Sequence, residues 1–218
     1  PEAGDLLADA LERATRVLGP VHEQTLTMAR GLGVLYLSMG DTDRAHPVFE
    51  ETYTRVRATL GVSNPATLLT MQDLARTLRA KGERDRALAL LTEALEISQT
   101  VRGETHPGTL MTLGALGSLL NEMGDYARAE QKLEEAVAAA RSTLPEGHSV
   151  VARLEIDLAN GYDAQGKHDL AEPLLLDAVT NLRSQQGNTH PLTRQAIGRL
   201  VSHYRARGMR ETADLWEA

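Results

Sequence analysis

Apolar residues recur along this chain at steps of three and four, in blocks about four turns long, and two kinds of block alternate. In one kind, Leu110, Leu113, Leu116, Leu120 and Met123 fall on one side of a helix. In the other, Ala129, Leu133, Ala136, Val137 and Ala140 do so, mirrored by Ala87, Leu91, Ala94, Leu95 and Ser98. Each block has an apolar stripe rather than an apolar circumference, which predicts a helix with one buried face. No segment alternates with period two over a useful length, so no strand is predicted.

The blocks return at a fixed interval. Gly40, Gly82, Gly124, Gly166 and Gly208 lie 42 residues apart, as do Ala3, Ala45, Ala87, Ala129, Ala171 and Ala213. His22, Asn64, His106, His148 and His190 keep the same spacing, and so do Gly19, Gly61, Gly103 and Gly187, with Pro145 in the missing place. The first glycine track supplies a residue that tolerates positive φ where a first helix must stop and reverse. The His/Asn track, followed by Pro at Pro65, Pro107 and Pro191, reads as a cap and a first-turn proline. Small residues at Gly33, Ala75, Gly117 and Ala159 predict a close approach by a neighbouring helix. Hairpins of fixed length cannot each bury two stripes alone, so they are expected to stack. The expected organisation is one array over 1–218: a second helix at 2–18, full repeats at 19–60, 61–102, 103–144 and 145–186, and a shortened repeat at 187–218. Beginning in mid-repeat is what a piece of a longer protein would show.

Composition narrows the chemistry. No cysteine is present, which removes disulfides, thiolate metal sites and a cysteine nucleophile and fits a reducing compartment. No apolar run reaches the ~20 residues of a membrane span, and the first ten residues carry no leader pattern, so a cytoplasmic location and no membrane partner are expected. The net charge of -7 argues against nucleic acid. Gly31-Leu32-Gly33 lacks the spacing and preceding strand of a phosphate loop. Adjacent acids such as Glu50-Glu51 and Glu134-Glu135 diverge on a helix, and Ser38, Ser63, Ser142 and Ser184 lack a base and orienting acid. No catalytic residue, cofactor or metal is expected. The repeat-start histidines stand on the order of 10 Å apart in stacked hairpins, too far to share an ion, and His46, His168 and His203 show no phased acidic partner.

The strings Gly103-Glu104-Thr105-His106-Pro107-Gly108-Thr109-Leu110, Gly124-Asp125-Tyr126-Ala127-Arg128-Ala129-Glu130 and Ala171-Glu172-Pro173-Leu174-Leu175 resemble the 42-residue tetratricopeptide repeat of the kinesin light chain type. The resemblance implies an all-α, right-handed superhelical solenoid of antiparallel helix hairpins. It implies a non-enzymatic module that binds a peptide or helix of a partner along the concave wall, within a larger signalling or regulatory protein. Relatives of this form in bacteria often adjoin a Ser/Thr kinase domain, and the Arg-, Ala- and Gly-rich composition suits a bacterial source. The family's inner-wall Asn pair is replaced here by Arg30-Gly31, Gln72-Asp73, Gly114-Ala115, Ile156-Asp157 and Gly198-Arg199.

Carried over by position, the family's inner wall would expose Arg30, Gln72, Asp73, Arg76, Arg79, Ser118, Asn121, Glu122, Arg153, Asp157, Asn160, Asp163, Gln195, Arg199, Ser202 and Arg205. Six arginines against four acids make this wall about +2, which suits a partner of acidic character. Arg194, Arg199, Arg205 and Arg207, with no acid between Gln185 and Gly208, suggest a second contact with an acidic surface. Two other roles stay open: self-association through exposed helices, and a docking or regulatory arm of a signalling enzyme. Charge reversal at Arg76 and Arg79 is expected to weaken partner capture while helicity and melting stay unchanged.

Overall fold

The computed structural model describes residues 2–217, with side chains for residues 4–217; Ala3 of the alanine track lies outside the described side chains. Among the described residues there are eleven helices and no strand. They are α1 (Glu2–Leu18), α2 (Glu23–Ser38), α3 (Thr42–Leu60), α4 (Pro65–Ala80), α5 (Arg84–Arg102), α6 (Pro107–Glu122), α7 (Tyr126–Thr143), α8 (Ser149–Ala164), α9 (His168–Gln186), α10 (Pro191–Ala206) and α11 (Arg210–Glu217). The chain divides into two compact units, Pro1–Val101 and Arg102–Ala218. In the first, α2 packs on α1 and α3, and α3 on α4; in the second, α6 and α7, α8 and α9, and α10 and α11 pair as hairpins.

The helix starts have one cause. The Nδ1 atoms of His22, His106, His148 and His190 accept hydrogen bonds from the backbone N–H two residues on, at 3.0–3.2 Å. Asn64 does the same through Oδ1, at 2.9 Å from the N–H of Ala66. These side chains satisfy donors that a helix start leaves orphaned, so the histidine track is a set of N-caps.

The helix stops are equally regular. At Gly40 the glycine N–H reaches the carbonyl of Leu37 and the next N–H, of Asp41, reaches that of Tyr36, the 5→2 and 6→1 bonds of a Schellman turn. The same 6→1 bond closes the turns after α4, α6, α8 and α10, from Glu83, Asp125, Lys167 and Met209. Each turn has its glycine at φ between +72° and +81°, where a Cβ would be strained. The link between α7 and α8 differs: Leu144 ends the helix in extended conformation, and the positive φ moves to Gly147.

Packing explains the small-residue tracks. Ala45, Ala87, Ala129, Ala171 and Ala213 are all fully buried, at 0% exposure. A Cβ on Gly33 would lie 2.4 Å from Cζ of Phe49, and one on Gly117 would lie 2.5 Å from Cγ of Leu133. In both hairpins the first helix therefore meets a large side chain of the second where only hydrogen fits. Phe49, Leu68, Met71, Leu78 and Leu91 fill the core of the first unit, and Leu110, Leu119, Leu120, Leu133, Leu154, Leu175 and Leu182 that of the second. Trp216 is half-buried beneath the guanidinium of Arg183, 5.0 Å from its ring centroid, so it covers α9 rather than projecting as an anchor.

Two stability changes follow. His106→Ala should cost about 1 kcal/mol in urea unfolding followed by circular dichroism, with His106→Asn regaining most of it. Gly117→Ala should cost about 1–3 kcal/mol, because the methyl must displace Leu133 from a packed position.

Candidate functional site

In the first unit, α2 and α4 flank a cleft of about 620 Å³ with an apolar floor that includes Leu26, Val34, Leu60 and Leu69. Val34, Leu60 and Leu69 are each 39% exposed, although their helices have buried stripes elsewhere. Arg30 lines the same cleft. Its Nε donates to Oδ2 of Asp73 at 2.8 Å, and a terminal nitrogen of Arg76 donates to Oδ1 of Asp73 at 3.2 Å. Asp73 is buried, whereas both arginine side chains are about half exposed. Burial pushes the Asp73 carboxyl up from its ordinary range, and Arg30 followed by Arg76 draws it back. Two cations around one buried anion make this cluster net positive; Arg30 is its member on the cleft wall, which also carries Glu23.

This corrects two expectations. Asp73 does not present a carboxylate to a partner: it lies under the surface and orients two arginines. Charge reversal of Arg76 would set a second carboxylate against buried Asp73, so melting would not stay unchanged. Gln72 and Arg79 are half-buried on α4.

The second unit places its expected residues on α6, α8 and α10. Arg153 and Gln195 line a polar cleft of about 450 Å³ with Ser149, Gln186 and His190. Arg153 and Arg199 are exposed and make no ion pair among the described residues. Ser118, Asp157 and Asn160 are half-buried, Glu122 is exposed, and the Ser202 hydroxyl donates to the carbonyl of Gly198 at 2.8 Å. The Asn121 amide packs against Gly161, where a Cβ would lie 2.5 Å from Nδ2. Arg205 donates to Glu217 at 2.7 Å and Arg207 to Glu172 at 2.6 Å, so half of the basic run near the end of the chain is neutralised within its own unit.

These hairpins, their 42-residue spacing and their turns point to one family. The sequence profile of the tetratricopeptide repeat matches residues 1–58, 48–100 and 66–142. The chain belongs to the tetratricopeptide repeat family. Among solved structures, it is similar to the nearly identical TPR-like repeats assigned to a kinesin light chain of Podosopora anserina. The identity is 26%, over 90% of this chain and 93% of that one, with a TM-score of 0.66. It shares the fold of BtubC (BKLC) from P. vanneervenii at 20% identity, 98% and 86% coverage and a TM-score of 0.74. It shares it too with a tetratricopeptide repeat protein of Parabacteroides merdae, at 16% identity, 99% and 72% coverage and 0.59. No curated protein matches the chain significantly. Repeats of this family are typically non-catalytic scaffolds for protein contacts, and no described helix is long and apolar enough to cross a membrane.

Two groups in this tetratricopeptide chain escaped sequence reasoning. Glu155 is buried on α8, with its carboxyl pushed up by burial and drawn back by Arg141, whose Nε lies 2.9 Å away. A further correction concerns His168 and His203, expected to be scattered without an acidic partner. Both point Nδ1 at Oδ1 of Asp163, at 2.8 Å each. The signal was absent because the three residues lie on different helices and recur in no other repeat.

The raised carboxyl of Asp73 fixes the sign of a pH effect. The folded chain holds that proton more tightly than the unfolded chain, whose Asp titrates near 3.9. Its contribution to stability is therefore complete below that ordinary value and is lost as pH rises through the raised one. The Tm difference between the parent chain and Asp73→Asn should shift in the parent's favour on going from pH 7 to pH 4. A shift the other way would mean that Arg30 and Arg76 outweigh burial.

Proposed function

We propose that this chain is a non-catalytic binding module whose first unit takes a peptide or helix of a partner protein in the α2–α4 cleft. The carrying observation is an apolar cleft of about 620 Å³ lined by half-exposed Arg30, whose buried partner Asp73 also holds Arg76. Exposed Val34, Leu60 and Leu69 offer a surface for an apolar anchor, since a contiguous apolar patch rimmed by polar groups marks a contact site. Arg30 and Arg76 keep donors free beyond those spent on Asp73, because a guanidinium carries five. The partner segment that fits carries an apolar side chain beside an acidic one. In the second unit, Arg153 and Arg199 favour an acidic partner in the same way, without an apolar anchor. The acidic total of the whole chain speaks against nucleic acid as the partner.

Self-association is the second reading, favoured by the apolar face of α1, where Leu6 and Val17 are 70% and 74% exposed. A docking or regulatory arm of a signalling enzyme is the setting in which the first reading would operate.

Peptides selected from a random phage-displayed library against the chain should be enriched in a Leu or Phe next to Asp or Glu. Leu69→Glu, on an exposed position, should weaken the selected peptides by at least tenfold in fluorescence anisotropy with Tm within about 2 °C of the parent. Selected peptides that bind Leu69→Glu and Val34→Glu as tightly as the parent would remove the cleft. A concentration-dependent dimer that Val17→Glu abolishes would instead establish the second reading.

A further inference from the structure

Asp163, His168 and His203 each offer one donor atom within 4.8 Å of the others. Asp163 lies near the end of α8, His168 opens α9 and His203 sits within α10. Asp163 Oδ1 is 2.8 Å from both Nδ1 atoms, Oδ2 is 2.9 Å from that of His203, and the two rings meet edge to face at 5.8 Å.

The cluster departs from the repeat at three places together. One repeat earlier the same places hold Asn121, Tyr126 and Gly161; two earlier, Arg79, Arg84 and Leu119; three earlier, Leu37, Thr42 and Thr77. No packing rule of the hairpin calls for an imidazole where its equivalents are Leu, Thr and Gly. The His203 side chain is completely buried, at 0% exposure, and its Nε2 has no hydrogen-bond partner. The nitrogen turned to Asp163 is Nδ1, so the ring offers that atom to the cluster and keeps Nε2 outside it. The other two residues open the site to solvent, with Asp163 at 25% and His168 at 35% side-chain exposure.

We propose that these three residues bind a divalent first-row transition ion of the zinc class. Two imidazole nitrogens and one carboxylate oxygen are a common three-ligand set for Zn²⁺, with water in the fourth position, and no thiolate is needed. The separations of 2.8 Å suit hydrogen bonds; tetrahedral bonds of about 2.0–2.1 Å need donors about 3.3 Å apart, so each ring withdraws by about half an ångström. On loading, each Nδ1 gives up the proton it shares with Asp163 and turns its lone pair to the ion, the ring proton then standing on Nε2. For His203 this exchange gives up the hydrogen bonds from Nδ1 to Asp163 and places the proton on a buried Nε2 without a partner, so the metal bonds must offset both. The same lack of an outer partner makes the site a moderate binder rather than a structural zinc centre, because such partners contribute about 10–100-fold in affinity. The ion would fasten α10 to the α8–α9 hairpin and stiffen the second unit.

The test is calorimetric titration of ZnCl₂ into chelator-treated chain made without a histidine tag, with Tm followed in parallel. One equivalent should bind, and Zn²⁺ at about a hundred times its dissociation constant should raise Tm by about 5–10 °C. His168→Ala at the open mouth and Asp163→Asn should each weaken binding at least tenfold, whereas His46→Ala should leave it unchanged. Co²⁺ should give the visible d–d bands of a tetrahedral site, and His168→Ala should abolish them. If His203→Gln fails to fold, the His168 and Asp163 variants still decide. Absence of heat and of a Tm shift, or equal binding by His168→Ala, would overturn the site.

Discussion

Within the α2–α3 and α6–α7 hairpins, two helices approach so closely that only a hydrogen fits between them, and a buried alanine recurs at one place in each second helix. The alanines from Ala45 to Ala213 are fully buried, and Gly33 against Phe49 and Gly117 against Leu133 show this constraint directly. It sets the distance between paired helices, and that distance allows a Schellman turn as short as the one at Gly40-Asp41 to connect them. It also explains how a chain with 3% aromatic residues forms a core: Ala and Leu supply contact where the backbones are already near. With hairpin geometry fixed in this way, variation is confined to the faces the hairpins leave uncovered, and there the chemistry lies.

Those faces use charge economically. Asp73 and Glu155 are buried carboxylates, each held against half-exposed arginine, and in both cases burial outweighs the arginine in setting the direction of the carboxyl shift. Such a group adds little to stability by itself. Its effect is positional: Asp73 fixes Arg30 and Arg76 beside the α2–α4 cleft, so less rotamer entropy is lost when they meet a ligand. Arg153 and Arg199 are exposed cations on the second unit with no such partner among the described residues.

Periodic features were legible in the sequence because each is repeated for the same reason. Gly40 and its equivalents announced the turns, Ala45 and its equivalents the helix contacts, and His22 and its equivalents the caps. Singular features were not. Arg30 and Asp73 are 43 residues apart and His203 and Asp163 are 40 apart, and these contacts exist only when consecutive hairpins stack. Val34 and Leu69 belong to apolar patterns that look the same whether a residue fills the core or floors a cleft; only the packed neighbour decides. The family's inner-wall register places Asp73 on the surface beside Arg76, whereas the approach of α2 buries it.

The central claim is that a partner protein sits on the α2–α4 face of the first unit. The direct measurement is photo-crosslinking with benzoylphenylalanine placed at Leu69, and separately at Thr54 on the exposed side of α3, in extracts of the source cells. A discrete crosslinked species from Leu69, absent from Thr54 and containing an acidic segment at the linked site, is the predicted result. Equal labelling from both positions, or a discrete species from Thr54 alone, would contradict it.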